Sequence, residues 1–324
     1  MKALVNTAPS KLELLDVPLP QPSRGQVRIR TGACGICATD LEMIKGWDRT
    51  GFPSIPGHEW SGMVDAVGED VDPAWVGRRC VAENVLADGG EIGFEHPGGY
   101  GEYLLTEAAN LYALPDDFPF PSAVLIEPLA VALRGIRRLR LEDRSAALIV
   151  GDGPIGLLSL MLLRRAGVEE IVLAGGRAAR LKVAGELGAA KIINYHQAGE
   201  SLREVLLEGR QGGFPNVIEA SGSARAMETC LGAAAKGGHI LVLGDYGMAR
   251  ADFRWNHLLW GEWEIIGSNA SAGAWAEAVQ LAAGGEIDLG RLVTRVYPLA
   301  EWQGAFDLVR DRQAGAIKVV LSWE

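Results

Sequence analysis

Three short stretches of the chain carry side chains that could bind one metal ion. They contain Cys37, the neighbours His58 and Glu59, and Glu127. Together they offer a thiolate, an imidazole and carboxylates, a donor set that zinc accepts while one coordination position stays open to substrate. Because the stretches lie far apart in sequence, they can meet only through the fold. The sequence therefore predicts a catalytic zinc ion, one per chain, with the ligands Cys37, His58, Glu59 and Glu127.

A glycine-rich turn lies near the middle of the chain. Residues 151–156 read Gly-Asp-Gly-Pro-Ile-Gly, after an apolar segment and before a helical pattern. Such a turn lets the backbone approach a pyrophosphate at a helix N-terminus. The motif alone is weak evidence, and a turn without ligand is the alternative, but the strand and helix around it favour a dinucleotide site. The predicted coenzyme-binding residues here are Gly151, Gly153, Pro154, Ile155 and Gly156.

The end of the next predicted strand bears on the choice of coenzyme. An Asp or Glu about 20 residues after the turn would bind the ribose of NAD, but this chain has Gly175, Gly176 and Arg177, with Arg180 one turn later. Because Gly175 has no side chain, this position carries no carboxylate that would repel a 2′-phosphate. Both arginines can donate charge-assisted hydrogen bonds to such a phosphate. NADP(H) is therefore favoured over NAD(H), unless both arginines are merely solvated. Two residues after later strands complete the predicted site: Ser221 and Gly244.

A Lewis acid together with a hydride carrier indicates interconversion of an alcohol and its carbonyl. Thr39 is predicted to accept the proton of the substrate hydroxyl, and the alternative is that its hydroxyl only caps the local turn. Two rival functions stay open. A zinc-free quinone or enoyl reductase would need no metal ligands, and a non-catalytic NADPH-binding protein would bind coenzyme without consuming an alcohol.

The composition of the chain limits the classes of molecule that it is expected to bind. The chain has 324 residues, 48% hydrophobic and 22% charged, with a net charge of −10, which argues against nucleic acid or an anionic membrane as partner. The apolar run at 155–163 is far shorter than the roughly 20 residues of a membrane span. Four cysteines are too few for a disulfide framework and favour a reducing cytoplasm. The expected partner is a small-molecule alcohol or carbonyl.

The pattern of apolar residues predicts an α/β protein with two domains. Up to residue 122 the chain reads as short strands, at 2–5, 26–31, 62–67 and 79–82, typical of a compact β-barrel. A helix over 123–141 and a buried strand over 146–150 then open an alternation of helices and strands, which predicts a doubly wound parallel sheet. The tail carries helices at 274–283 and 302–312 and a closing strand at 317–321.

The motifs resemble those of the zinc-dependent medium-chain dehydrogenase/reductase family, within it the sugar, polyol and threonine dehydrogenase branch. The stretches that carry the resemblance are 35–40, 56–62, 98–103, 127–130, 151–156, 219–222 and 317–320. The resemblance implies a discontinuous GroES-like catalytic domain over 1–122 and 268–324, and a Rossmann domain over 123–267. It also implies an oxidoreductase acting on a primary or secondary alcohol, such as a polyol or sugar, and a homodimer or homotetramer.

Carried over by position, Cys37 and His58 resemble zinc ligands of this family. Glu59 and Glu127 resemble carboxylates that bind zinc directly or through water, and Glu127 in place of a third cysteine favours the polyol branch. Family members often hold a structural zinc in a four-cysteine lobe, whereas residues 81–97 contain no cysteine. Glu42 and Arg134 stand where relatives carry histidines, and the sequence assigns neither a role.

Four further side chains have simpler interpretations. Cys34 is expected to be a buried thiol and Trp60 a core residue. Trp47 is the best tryptophan candidate for a substrate-pocket wall, and the tryptophans from Trp255 to Trp263 are expected at a subunit interface.

Overall fold

The computed structural model describes residues 1–47, 49–199, 202–250, 254–311 and 313–323. The chain divides into two compact units, one of Met1–Glu127 and Trp275–Glu324, the other of Pro128–Ala274. The domain boundaries predicted from the sequence lie after residues 122 and 267. They concern functional domains rather than compact units, and they stay a prediction. Within the described residues, no helix combines the length and the apolar character that a bilayer crossing requires.

The bounds of the regular elements are as follows. The strands are β1 (Lys2–Ala8), β2 (Lys11–Asp16), β3 (Gln26–Ile36), β4 (Glu59–Val67), β5 (Arg79–Ala82), β6 (Tyr103–Glu107), β7 (Leu111–Ala113), β8 (Ala146–Val150), β9 (Glu170–Gly175), β10 (Lys191–Asn194), β11 (Phe214–Glu219), β12 (Ala234–Val242), β13 (Glu264–Gly267), β14 (Val293–Pro298) and β15 (Lys318–Ser322). The α-helices are α1 (Ala38–Gly46), α2 (Phe120–Ala123), α3 (Ile126–Leu139), α4 (Pro154–Arg165), α5 (Ala178–Glu186), α6 (Tyr195–Ala198), α7 (Leu202–Leu207), α8 (Ala224–Ala233), α9 (Trp255–Gly261), α10 (Trp275–Ala283) and α11 (Trp302–Arg310).

The first unit is built on a mixed sheet. Its strands lie in the order β14-β15-β3-β4-β5-β7, with β6 also paired to β3. Strand β3 runs antiparallel to both β15 and β4, so that Gly35 stands opposite Val320 on one side and Glu59 on the other. The closing strand of the chain is therefore a neighbour of the strand that leads to Cys37.

The second unit contains a six-stranded parallel sheet in the order β10-β9-β8-β11-β12-β13. The strand order reverses between β8 and β11, as in a Rossmann fold, and proteins of this fold bind their ligands at the carboxyl ends of such strands. Every residue of β8 is buried, as expected for a parallel sheet that helices cover on both faces. The predicted doubly wound sheet is confirmed.

Local structure differs from expectation at several places. The helix expected over 123–141 is α3, which begins at Ile126 and ends at Leu139, after the separate short helix α2. Pro128 lies in the first turn of α3, where the missing amide hydrogen is tolerated. The stretch after β3, interpreted as a turn, opens helix α1 directly after Cys37. Five strands and four further helices were not predicted: β2, β6, β7, β10 and β14, and α6 to α9. Strand β10, for example, has only four residues with polar ends. The end predicted for the last helix, Arg312, lies outside the described residues.

Candidate metal and coenzyme sites

Three predicted ligands come together in the first unit. One donor atom each from Cys37, His58 and Glu59 lies within 4.8 Å of the others, and no further group of this kind occurs among the described residues. Cys37 is the residue before α1, and Glu59 is the first residue of β4. The β3–β4 pairing thus brings the two segments to one point, and thiolate, imidazole and carboxylate suit a zinc ion.

Asp40 fixes the geometry of this cluster, a role the sequence interpretation missed. It is fully buried and lies in the first turn of α1, where Oδ2 accepts a hydrogen bond from the Cys37 amide at 2.8 Å and from the Tyr100 hydroxyl at 2.9 Å. Its Oδ1 lies 3.1 Å from Nδ1 of His58. An ionised carboxylate only accepts, so Nδ1 donates and Nε2 is left for a metal.

His58 and Asp40 shift each other's pKa values in opposite directions. Burial alone would raise the pKa of Asp40, but the His58 charge and three hydrogen bonds lower it overall. Burial alone would lower the pKa of His58, and the charge and hydrogen bond of Asp40 raise it well above its usual range. Asp40 is therefore an anion that orients the imidazole from behind, as carboxylates do for metal-ligating histidines.

Glu59 has a second partner in a buried ion pair. Nζ of Lys318 lies 2.7 Å from Oε1 and 2.5 Å from Oε2 of Glu59, and both side chains are 2% exposed. The side chains of Lys318 and Glu59 meet over Gly35 of the intervening strand β3. A Cβ atom on Gly35 would lie 2.4 Å from the Glu59 carboxylate. Gly35 is thus required for space, and Lys318 fixes the position of the Glu59 carboxylate beside the other donors.

Glu127 and Thr39 lie in the same unit as the cluster. Glu127, in the first turn of α3, is half-buried and does not belong to the three-donor group. Burial and the nearby charge of Glu59 raise the pKa of Glu127 to about 7, against the lowering effect of His58. Oγ1 of Thr39 lies 3.6 Å from Sγ of Cys37.

Aromatic side chains flank the imidazole. The ring of Phe94 lies 4.9 Å from that of His58, and Trp47, 39% exposed, packs edge-on against Phe94 at 6.2 Å. Arg49 covers both rings, its Cζ 4.4 Å from the Phe94 centroid and 5.7 Å from that of Trp47. The buried positions expected of Cys34 and Trp60 are confirmed.

The glycine turn of the second unit has the backbone that its sequence predicts. Gly151 has φ +132°, and a Cβ atom there would lie 2.7 Å from the Ala220 backbone. A Cβ atom on Gly156 would lie 2.0 Å from the carbonyl oxygen of Gly151, so helix α4 begins tight against the turn. At Gly153 a Cβ atom would meet only Nη1 of Arg180, at 3.8 Å. This open approach to a helix N-terminus suits a pyrophosphate.

A carboxylate from the glycine turn reaches the end of β9, and the sequence interpretation gave it no role. Asp152, 4% exposed, accepts hydrogen bonds at Oδ2 from the amides of Gly176 and Arg177, at 2.8 and 2.7 Å. Its Oδ1 lies 3.0 Å from Nη1 of Arg177 and 3.8 Å from Nη1 of Arg180. A Cβ atom on Gly175 would lie 2.5 Å from that of Asp152. Gly175 therefore makes room for a carboxylate.

Ser221 and Gly244 meet around Glu219 at the end of β11. Oε1 of Glu219 accepts hydrogen bonds from the amide and the hydroxyl of Ser221, at 2.8 and 2.6 Å. A Cβ atom on Gly244 would lie 2.4 Å from Oε2 of the same carboxylate. Both residues thus lie at the edge where the strand order reverses.

The two unassigned positions have plain structural contacts. Glu42 forms an exposed ion pair with Lys45, at 2.7 Å. Arg134 donates a hydrogen bond to the carbonyl of Asn269, and Arg137, one turn later, donates to that of Gly273 at 2.8 Å. The arginines of α3 therefore bind the segment before α10.

Comparison with known proteins identifies the relatives. Residues 23–116 match the alcohol dehydrogenase GroES-like domain, and residues 154–284 match the zinc-binding dehydrogenase domain. L-threonine 3-dehydrogenase of Stenotrophomonas maltophilia is 31% identical, with full coverage of both chains.

Two solved structures share the fold along the whole chain. One is a zinc-binding dehydrogenase of Sinorhizobium meliloti bound to NADP, with a TM-score of 0.91 and 26% sequence identity. The match covers 99% of this chain and 98% of the Sinorhizobium chain. The other is an alcohol dehydrogenase of Escherichia coli complexed with NADH, with a TM-score of 0.92 and 26% sequence identity. The match covers 100% of this chain and 99% of the Escherichia coli chain. The GroES-like and Rossmann folds expected from the sequence are confirmed, and the chain belongs to the zinc-dependent medium-chain dehydrogenase family.

Proposed function

We propose that this protein is a zinc-dependent dehydrogenase that interconverts a primary or secondary alcohol, such as a polyol or sugar, and its carbonyl with a nicotinamide coenzyme. The observation that carries the proposal is the convergence of Cys37, His58 and Glu59 within 4.8 Å. The threonine dehydrogenase relative supports it, because its named substrate bears a secondary hydroxyl.

The residues of the first unit have distinct tasks in this scheme. Cys37 and His58 would hold the zinc ion, and Glu59 and Glu127 would bind it directly or through water. When bound, the ion supplies a Lewis acid that makes a substrate hydroxyl more acidic. Thr39 would accept the released proton at Oγ1 and pass its own hydroxyl proton outward toward solvent, while Asp40 keeps His58 oriented through Nδ1. A bound nicotinamide coenzyme would supply the acceptor for the carbon-bound hydrogen, which leaves the substrate as hydride.

The coenzyme binds to the turn of the second unit, with NADP(H) favoured over NAD(H). Arg177 and Arg180 support this choice, since guanidinium groups bind phosphate through several donors. Burial and the neighbouring Arg177 charge lower the pKa of Arg180 to about 10, so it remains charged at neutral pH. The ratio of kcat/KM for the two coenzymes tests this choice, and a clear preference for NAD would contradict it.

One exposed apolar surface supports a homo-oligomer. Trp255, Leu259 and Trp260 on α9 are 74%, 70% and 65% exposed, and the nearby edge strand β13 pairs only with β12 among the described strands. Free strand edges and exposed aromatic side chains favour association. A second copy of the chain is the proposed occupant, and light scattering of a Trp260→Asp variant tests it. We also propose a cytoplasmic location, in line with four free cysteines.

A screen of alcohols decides between the proposed activity and its rivals. Purified protein loaded with zinc is incubated with polyols, aldoses and amino alcohols, and reduced nicotinamide is followed by absorbance. Metal analysis should return one zinc per chain. A zinc-free quinone or enoyl reductase would keep its full reductase activity after zinc is removed by a chelator. A non-catalytic module would bind the coenzyme, but no alcohol would reduce that coenzyme.

A further inference from the structure

The surroundings of Asp152 differ from those of an ordinary turn residue. Its carboxylate accepts two backbone amides and one guanidinium hydrogen bond, with Arg180 beyond. The amides belong to Gly176 and Arg177, at the start of α5. Those amides and guanidinium groups are the donors that an anionic group at the end of β9 would use.

The strand end is shaped around this carboxylate. A Cβ atom on Gly175 would lie 2.5 Å from Cβ and 2.8 Å from Oδ2 of Asp152, so no side chain fits there while Asp152 keeps its position. The chain thus lacks an acidic residue on the strand but has a carboxylate at the same place, supplied by the glycine turn.

We propose that Asp152 is a specificity-determining residue that limits the affinity for NADP(H) by competing with the 2′-phosphate for Arg177. The inference rests on the proposed function, in which the coenzyme binds at this turn. The negative charge of Asp152 offsets one of the positive charges of Arg177 and Arg180. The three side chains together therefore carry a single net positive charge. A 2′-phosphate brings up to two negative charges, and close like charges raise the free energy of binding.

Arg177 is the group for which the two anions compete. Its guanidinium is 29% exposed, so it is accessible to a ligand, whereas Asp152 at 4% exposure is not displaced by solvent. When Arg177 binds a phosphate instead, it gives up its bond to Asp152, and that carboxylate keeps two amide hydrogen bonds and the Arg180 charge 3.8 Å away. The cost of this exchange lowers the affinity for the phosphorylated coenzyme and leaves NAD(H) unaffected.

Binding of adenosine fragments measures this cost without any turnover. Isothermal titration compares adenosine 2′,5′-bisphosphate with 5′-AMP on the full chain. In Asp152→Asn the amide oxygen can still accept the two backbone hydrogen bonds, while the negative charge is gone. We expect the affinity for the bisphosphate to rise about tenfold and that for 5′-AMP to change less than twofold. Asp152→Ser, with a shorter neutral side chain, should shift the ratio in the same direction.

The outcomes separate this inference from the proposed function. If wild type binds both fragments and neither Asp152 variant raises the ratio, Asp152 only caps α5 and the inference is wrong, while the coenzyme site stands. If neither fragment binds the wild-type chain, the coenzyme site itself is misplaced and both proposals fail. Arg177→Gln serves as the matched control, since it should lower the ratio.

Discussion

Glu59 in the first unit and Asp152 in the second are both buried carboxylates that bind a cationic side chain, yet the cations differ in exposure. Lys318 is 2% exposed, whereas Arg177 is 29% exposed. Removing a buried partner leaves an uncompensated charge, while a half-exposed partner can be replaced by water or ligand. The Glu59 pair is therefore a fixed part of the core, and the Asp152 pair can be exchanged.

The difference follows from the elements that carry the residues. Glu59 and Lys318 lie on β4 and β15, held on either side of β3 by backbone hydrogen bonds. Asp152 lies in a turn and Arg177 precedes a helix, so one partner of this pair is a long side chain at the surface of its unit. Hence the metal cluster is fixed before any ligand arrives, and the coenzyme site is adjustable.

Loss of the thiolate should have the largest effect. Cys37→Ala removes one of the three assembled donors, so zinc content should fall from one per chain to near zero and kcat/KM by about 10³-fold or more. Metal analysis and the alcohol assay measure both. Cys230→Ala, a buried cysteine of the second unit, is the control that keeps zinc. A Cys37→Ala protein with full activity would refute the metal scheme.

The fixed pair is tested by Lys318→Met, measured as urea unfolding of the zinc-free protein. Because Glu59 would be left buried without its cation, the free energy of unfolding should fall by about 3–5 kcal/mol. Adding Glu59→Gln removes the stranded charge and should restore much of the loss. Lys2→Met, which breaks an exposed pair with Asp16, should change stability far less. Equal losses from Lys318→Met and Lys2→Met would show that burial does not distinguish the pairs.

The adjustable pair is tested by moving its carboxylate. The double variant Asp152→Gly with Gly175→Asp vacates the turn and places the acid on the strand end, where a ribose hydroxyl can bind it. The ratio of affinities for NAD and NADP should shift about tenfold toward NAD. Fluorescence titration of the reduced coenzymes measures the ratio. An unchanged ratio would show that the position of this acid does not affect coenzyme choice.

Salt should produce the smallest change and sharpen the contrast. Raising ionic strength from about 0.1 to 1 M shortens the Debye length from about 10 to 3 Å, so bisphosphate affinity should fall about threefold. The destabilisation caused by Lys318→Met should stay nearly constant, because a buried pair is screened little. If salt changed both quantities equally, the two pairs would not differ in solvent access.

Much of the fold and part of the site could be predicted from the sequence. The five apolar residues of β8, the glycines of the turn and the donor types at Cys37, His58 and Glu59 each indicate their structure locally. Asp40 had a local signal as well, three residues after Cys37 at a helix start, where an acidic side chain accepts a backbone amide. The sequence interpretation did not use that signal.

The partners of the two buried carboxylates could not be predicted in this way. Lys318 is 259 residues from Glu59, and its one hint is a charge within an otherwise apolar closing strand, which demands a partner if buried. Gly175 was interpreted as the absence of a carboxylate, yet the structure fills its space with Asp152. A missing side chain in sequence says nothing about which neighbour occupies the space.

The sequence by itself determined the chemistry available to this protein: a thiolate, an imidazole and carboxylates for a metal, and glycines that permit a tight turn before a helix. These properties belong to single residues and short segments. Only the tertiary structure decided that Lys318 pairs with Glu59 across Gly35 and that Asp152 binds Arg177. Such pairings depend on strand order and register, which backbone hydrogen bonds and core packing set between residues distant in the chain.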